Sequence, residues 1–177
     1  MTTLPPTLQE FVLHWGKMGA RWGVNRTVAQ IHALLIVSPQ PLHAEEIAET
    51  LSVARSNVST SLRELQAWGL VKVVHLLGDR RDHFEAIGDV WEMFQVIIEE
   101  RKRREVEPTL AVLRRCTAEG KDAAGIDPYA RDRLLEMLAF FEMTTSWYDQ
   151  VRQMPRSTLT KFVKMGQKVA TLLKAAP

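Results

Sequence analysis

Six polar side chains crowd one short stretch of the chain: Arg55, Ser56, Asn57, Ser59, Thr60 and Arg63. Hydroxyls, an amide and guanidinium groups are the types that hydrogen-bond base edges and phosphate oxygens of a nucleic-acid duplex. At about 100° per residue, a helix over 55–68 turns Val58, Leu62 and Leu65 to one side and Ser56, Ser59, Thr60 and Arg63 to the other, with Arg55 and Asn57 flanking its start. The outward face carries almost no acid, Glu64 at its edge being the exception. A solvated helix ordinarily mixes Lys and Glu at i,i+4, and Ser, Thr and Asn lower helix propensity, so this surface points to contact with double-stranded DNA rather than with water. Arg80 and Arg81 follow Gly78-Asp79 between two apolar runs. They read as the basic tip of a hairpin that reaches phosphates or the minor groove beside such a helix.

These side chains need elements to hold them. A short helix over 43–51 buries Ile47, Ala48 and Leu51, Ser52-Val53-Ala54 makes a tight connection, and Gly69 closes the helix over 55–68. Val- and Leu-rich 70–77 and then 83–87 read as two strands about Gly78. Two short helices followed by a hairpin form a winged helix-turn-helix, expected over residues 25–88, whose second helix fits a major groove about 12 Å wide. The fold class is mainly α with a small β-hairpin wing.

Upstream, Leu8, Phe11, Val12, Trp15, Met18 and Trp22 lie on one stripe of an amphipathic helix ending near Gly23. A second helix over 26–37 turns Val28, Ile31, Leu34 and Leu35 inward before Pro39 and Pro41. Downstream, 89–116 is helical with a kink or break expected before Pro108, 119–127 is a loop, and 128–154 is a long helix. A last helix over 157–174 has Leu159, Phe162, Val163, Val169, Leu172 and Leu173 on one side. Residues 1–24 and 89–177 hold more apolar surface than a three-helix core uses, and are expected to form a helical dimerisation region in which Gly16 and Gly19 permit close helix approach, the alternative being that these glycines serve only local packing.

Composition narrows the remaining classes. A net charge of +2 permits a polyanionic partner without requiring one. No apolar run approaches the roughly 18 residues of a membrane span, and Met1 to Pro6 shows no targeting pattern, so the expectation is a cytoplasmic protein without membrane contact. Cys116 is the single cysteine, which suits a reducing compartment. His14, His32, His75 and His83 have no metal-ligand spacing, and no metal or other cofactor is expected. A phosphate-cradling glycine loop, a Gly-x-Ser-x-Gly elbow and a His-Glu-x-x-His helix are all missing, so the chain is not expected to be an enzyme.

The runs Asn25-Arg26-Thr27-Val28-Ala29, Ala44-Glu45-Glu46-Ile47-Ala48, Ser56-Asn57-Val58-Ser59, Leu62-Arg63-Glu64-Leu65-Gln66-Ala67-Trp68-Gly69-Leu70-Val71 and Gly78-Asp79-Arg80-Arg81-Asp82-His83-Phe84 resemble regulators of the MarR superfamily, and within it the GbsR-like branch. The resemblance covers most of residues 15–90. It implies a homodimeric transcriptional regulator, with repression the expected sense, that puts one recognition helix per subunit into successive major grooves of a palindromic operator. It also implies that Asp79 holds Arg81 in place for DNA. Two positions depart from the family pattern: Ala54 stands where relatives carry a Ser or Thr cap, and His43 replaces a similar cap on the preceding helix, either of which would fit a helix start shifted by one residue.

Some of these relatives are associated with choline or glycine betaine. Trp15, Trp22, Phe141, Trp147 and Tyr148, with Phe140 nearby, are the candidate lining for a small-molecule effector such as a quaternary ammonium compound, held by cation–π attraction. Aromatics at helical spacing are also ordinary core residues. The competing reading of the whole chain is a winged-helix protein-interaction module without DNA binding, for which no salt-dependent duplex affinity is expected.

Overall fold

Proline has no amide hydrogen to leave unpaired at a helix start, and Pro6 opens α1 (Pro6–Arg21). The computed structural model describes residues 4–119, 127–161 and 165. These fall into two compact units, Met1–Glu100 and Arg101–Pro177.

In the first unit, α1 ends at Trp22, and Gly23 takes a positive φ of 76°. Asn25 then caps α2 (Arg26–Val37) by accepting the Thr27 N–H at 2.8 Å. The four inward positions expected of this helix are buried, and Ile31 and Leu34 are among the most enclosed side chains of the described chain. Gly16 and Gly19 face α2 of the same chain: a Cβ on Gly19 would stand 2.5 Å from the Ala29 Cβ, and one on Gly16 2.5 Å from Cγ of Gln30. The close approach that they permit here is internal, as local packing between α1 and α2.

After Pro39 and Pro41 the backbone is extended, and Leu42–His43 forms β1, a strand absent from the sequence reading. It pairs antiparallel with β3 (His83–Ala86), with Leu42 opposite Phe84 and His43 opposite His83. β3 also pairs with β2 (Val71–Val74), giving the order β1-β3-β2. The expected hairpin is thus two thirds of a three-stranded sheet, and β1 ties it to the start of α3 (Ala44–Leu51). That start is a capping box: the Glu46 carboxylate accepts the His43 N–H at 2.9 Å, and the Glu46 N–H approaches His43 Nδ1 at 3.4 Å.

Ser52 is left-handed (φ 53°) and turns the chain into α4 (Arg55–Ala67), which starts at Arg55, without a shift, although Ala54 offers no side-chain cap. Val58, Leu62 and Leu65 are buried as expected, Ser61 turns inward with them, and Gly69 follows with φ 74°. Full burial of each such aliphatic side chain stabilises the fold by roughly 1.5–3 kcal/mol, so the inward stripe is what fixes how α4 rotates about its axis. α5 (Val90–Arg101) buries Met93 and half-buries Val96 and Ile97 against this core.

In the second unit, the break expected before Pro108 is absorbed without ending the helix. Proline cannot donate to a carbonyl four residues back, and the chain slips register through a π-helical turn, Lys102–Val106, where the Glu107 N–H bonds to the Lys102 carbonyl five residues back. α6 (Glu107–Glu119) continues from it, burying Leu110 and Leu113. α7 (Pro128–Arg152) is capped by Asp127, which accepts the Tyr129 N–H at 2.9 Å, and pairs with preceding elements through Lys102–Asp149 at 2.8 Å and Arg114–Glu142 at 2.9 Å. Phe140, Met143 and Trp147 share a stripe of α7 and are more than half exposed within this unit. Beyond it a helical turn begins at Pro155, whose carbonyl accepts the Leu159 N–H. The rest of the helix expected over 157–174, including Phe162, Val163, Val169, Leu172 and Leu173, lies outside the described residues.

Candidate nucleic-acid interface

The register of α4 leaves Arg55, Ser56, Asn57, Thr60 and Arg63 exposed and Ser59 half-buried, on the side opposite Val58, Leu62 and Leu65. The side chains on this face are already joined to one another. Arg55 donates through Nη1 to the Ser59 hydroxyl and through Nε to Glu45 Oε1 at 2.8 Å. Arg63 lies over the same turn, its Nε 3.4 Å from the Ser59 carbonyl and its Nη2 3.5 Å from the Thr60 hydroxyl. Both long side chains therefore lie along the helix surface instead of sampling solvent freely.

The wing, the β2–β3 hairpin, stands beside this face. Its turn is Leu76-Leu77-Gly78-Asp79, closed by the Asp79 N–H to the Leu76 carbonyl at 3.1 Å, with Gly78 at φ 86°. Leu77, in this turn, is fully exposed. The arginines come on the returning arm, directly after the turn. Arg80 is exposed. Arg81 is gripped by Asp79: its Nε donates to Oδ1 at 2.9 Å and to Oδ2 at 3.1 Å, Nη2 donates to Oδ2, and its backbone N–H donates to Oδ1 at 3.0 Å. This is a bidentate, charge-assisted arrangement. The side-chain and backbone hydrogen bonds from Arg81 hold the Asp79 carboxyl well below the usual carboxylate range, and the Asp79 partner raises Arg81 in turn. Asp79 therefore stays ionised through any physiological pH.

Between α4 and the wing lies a cleft of about 450 Å³ lined by Arg55, Ser59, Arg63, Arg81, Asp82 and the floor residue Phe84, with Glu45 at its edge. Three of the arginines expected to contact DNA thus open onto one concavity. Two residues hydrogen-bonded to the arginines of this cleft were not among those expected. Glu45, on the first turn of α3, is held down to about 2 chiefly by its hydrogen bond from Arg55, then by its own backbone amide. His43, nearly buried, has Nδ1 3.0 Å from Glu45 Oε2 and Nε2 2.7 Å from Arg81 Nη1. The unusual cap at His43 was a visible signal in the sequence; nothing local signalled a Glu45–Arg55 pair ten residues apart.

The five aromatic candidates for an effector site divide between the units. Trp15 packs on Phe11, with ring centroids 5.4 Å apart, and sets its ring at an angle to that of His32 at 6.4 Å. Trp22 sits at the end of α1, about half exposed. Phe141, Trp147 and Tyr148 belong to α7, where the Tyr148 ring already has the Lys102 ammonium 5.8 Å from its centroid. Among the described residues no cluster of three or more His, Cys, Asp or Glu is arranged to hold a metal, and no helix is long and apolar enough to cross a membrane.

Comparison with known proteins gives concordant results. The HTH-type transcriptional repressor GbsR of Bacillus subtilis (strain 168) is 21% identical over 83% of this chain and 85% of its own length. The HTH-type transcriptional regulator MmpR5 of Mycobacterium tuberculosis (strain ATCC 25618 / H37Rv) is 26% identical over 80% of this chain and 84% of its own. A crystal structure described as that of a transcriptional regulator shares the fold, with a TM-score of 0.62 at 23% identity, covering 90% of this chain and 99% of that one. Residues 22–82, from the end of α1 through both helices of the helix-turn-helix to the wing arginines, match the MarR family, and the chain carries a MarR-family winged-helix domain.

Proposed function

We propose that this protein is a GbsR-like transcriptional regulator that acts as a homodimeric repressor on a palindromic operator. The observation that carries the reading is the single cleft that Arg55, Ser59 and Arg63 of α4 share with Arg81, anchored by Asp79, on a helix that also exposes Ser56, Asn57 and Thr60. α4 enters the major groove, where its hydroxyls, amide and Arg63 read base edges, and Arg81 meets the backbone or minor groove alongside. Two copies related by a twofold axis place two such helices about 34–36 Å apart, one turn of B-DNA or a multiple of it. The exposed Phe140, Met143 and Trp147 stripe of α7 is the surface that a second copy covers. One relative is named a transcriptional repressor, which supports this sense of action.

The test is a gel shift and footprint on the promoter region of the protein's own gene. Protection of two half-sites is the expected result. Arg63→Ala should cost roughly 1–3 kcal/mol on that site and relax its specificity. Arg81→Ala should weaken binding to every sequence and lower the slope of log affinity against log salt by about one. Affinity for duplex that is indifferent to salt and to both substitutions removes the reading.

A further inference from the structure

Arg81 and Arg55 come from elements far apart in sequence, yet one unbroken run of hydrogen bonds joins them, and His43 is its middle member. The order is Asp79, Arg81, His43, Glu45, Arg55, Ser59. β1 makes this possible: pairing His43 opposite His83 carries its ring to the base of the wing, two residues from Arg81. The two imidazoles meet edge to face at 5.6 Å.

The hydrogens can be assigned from valence. Arginine carries no acceptor, so across the 2.7 Å contact Arg81 Nη1 donates and His43 Nε2 is the bare nitrogen. The ring proton then resides on Nδ1, which donates to Glu45 Oε2 at 3.0 Å and so does not accept the Glu46 N–H, 3.4 Å away. Glu46 Oε2 stands 3.5 Å from Nε2 and accepts the His43 backbone N–H. A helix cap alone does not need this ring. Serine or asparagine would cap α3 as well, and neither reaches Arg81.

We propose that His43 is a positioning residue for DNA recognition, which accepts from Arg81 at Nε2 and donates to Glu45 at Nδ1 and so fixes the spacing between the wing arginine and the first arginine of α4. This rests on the reading of the cleft as a DNA interface. The consequence is geometric: the phosphate-contacting group of the wing and the head of the recognition helix arrive at the duplex as one preset unit.

Two measurements on the full-length chain separate this proposal from the reading beneath it. The first does not involve DNA. Long-range proton–nitrogen NMR correlations at about pH 8, where an unperturbed imidazole is neutral, report which ring nitrogen of His43 carries hydrogen. The expected result is a protonated Nδ1 and a bare Nε2, a preference that Arg81→Ala abolishes; hydrogen on Nε2 in the unaltered protein overturns the proposal even if DNA binding is confirmed. The second uses a duplex that the unaltered protein binds. His43→Ser leaves a side chain able to cap α3 and removes the bridge, and should weaken binding roughly three- to tenfold, while His43→Gln, which again presents an acceptor toward Arg81, should restore most of it. In combination with Arg81→Ala, the His43→Ser loss should largely vanish, because His43 acts through Arg81. Full affinity in His43→Ser, or losses that simply add, overturns the proposal. A chain that binds no duplex while showing the Nδ1–H ring refutes the function and leaves the bridge standing.

Discussion

Acid should destabilise the winged-helix unit through His32, a residue outside the proposed DNA-contacting set. His32 lies on α2, 3% exposed, and its Nε2 is a buried side-chain nitrogen with no hydrogen-bond partner among the described residues. Desolvation by burial lowers its pKa from 6.5 to about 4. In the unfolded chain the ring accepts a proton near 6.5, while the fold refuses it until about 4, so between these values the unfolded state binds more protons and stability rises with pH. The contribution is fully present above 6.5 and is lost as pH falls toward 4. Linkage over this window makes the protein about 2 kcal/mol less stable at pH 5 than at pH 7, and about 3 kcal/mol less once pH 4 is reached. The smaller figure corresponds to a fall in Tm of about 4–8 °C for a chain of this size. His32→Leu matches the volume, removes the orphaned nitrogen and has no proton to accept. Urea titrations of both proteins from pH 7 to pH 5 supply the measurement: the unaltered chain should lose the ~2 kcal/mol that the variant keeps. Parallel stability curves for the two proteins would refute the reasoning.

Gly19→Ala should destabilise the protein by roughly 1–3 kcal/mol in thermal or urea melts, because its Cβ meets the inflexible Ala29 Cβ, whereas Gly16→Ala meets the movable end of Gln30 and should stay within about 1 kcal/mol of the parent. Equal losses at both positions would show that the α1–α2 spacing is not set where the structure puts it. Asp79→Asn removes a negative charge from a surface meant for a polyanion, and yet duplex affinity should fall by roughly three- to tenfold, since Arg81 loses its anchor. An affinity that rises on that change would mean charge alone governs binding. Light scattering should find twice the chain mass in solution, with Trp147→Asp shifting it toward a single chain; a monomeric parent would count against the α7 stripe as the dimer surface.

Periodicity made α4 readable, because a buried stripe of Val58, Leu62 and Leu65 leaves only one side for Ser56, Thr60 and Arg63, and burial outweighs any other influence on helix rotation. The helix ends were readable for a similar reason: Asn25, Gly23 and Gly69 satisfy or release backbone groups by local chemistry alone. β1 was not. Two residues after Pro41 cannot show an alternation, and they become a strand only when β3 arrives from forty residues away. The same holds for Glu45 with Arg55 and His43 with Arg81, where partners are chosen by the fold and no spacing rule applies. Gly16 and Gly19 were legible as a close approach, but the identity of the approaching helix was not, since a missing Cβ carries no information about what fills its place.

The cleft also explains how carboxylates can stand at the surface proposed to meet phosphate. A free arginine on a hairpin carries about 2 kcal/mol of rotamer entropy that must be given up on contact. Asp79 and Glu45 remove part of that freedom in advance, and because both lie well below neutral pH they keep their charge while doing so. The cost is a local repulsion toward DNA, which salt screens over about 8–10 Å, whereas the directed hydrogen bonds that each acid accepts, four at Asp79 and two at Glu45, act at contact and are screened far less. Affinity gained this way comes from pre-organisation rather than from net charge, which is consistent with a chain whose formal charge is only +2. Recognition then depends on the spacing of a few fixed guanidinium groups more than on their number. A change that loosens one anchor should accordingly harm specific sites more than random duplex, and that ratio separates a reader of sequence from a merely cationic surface.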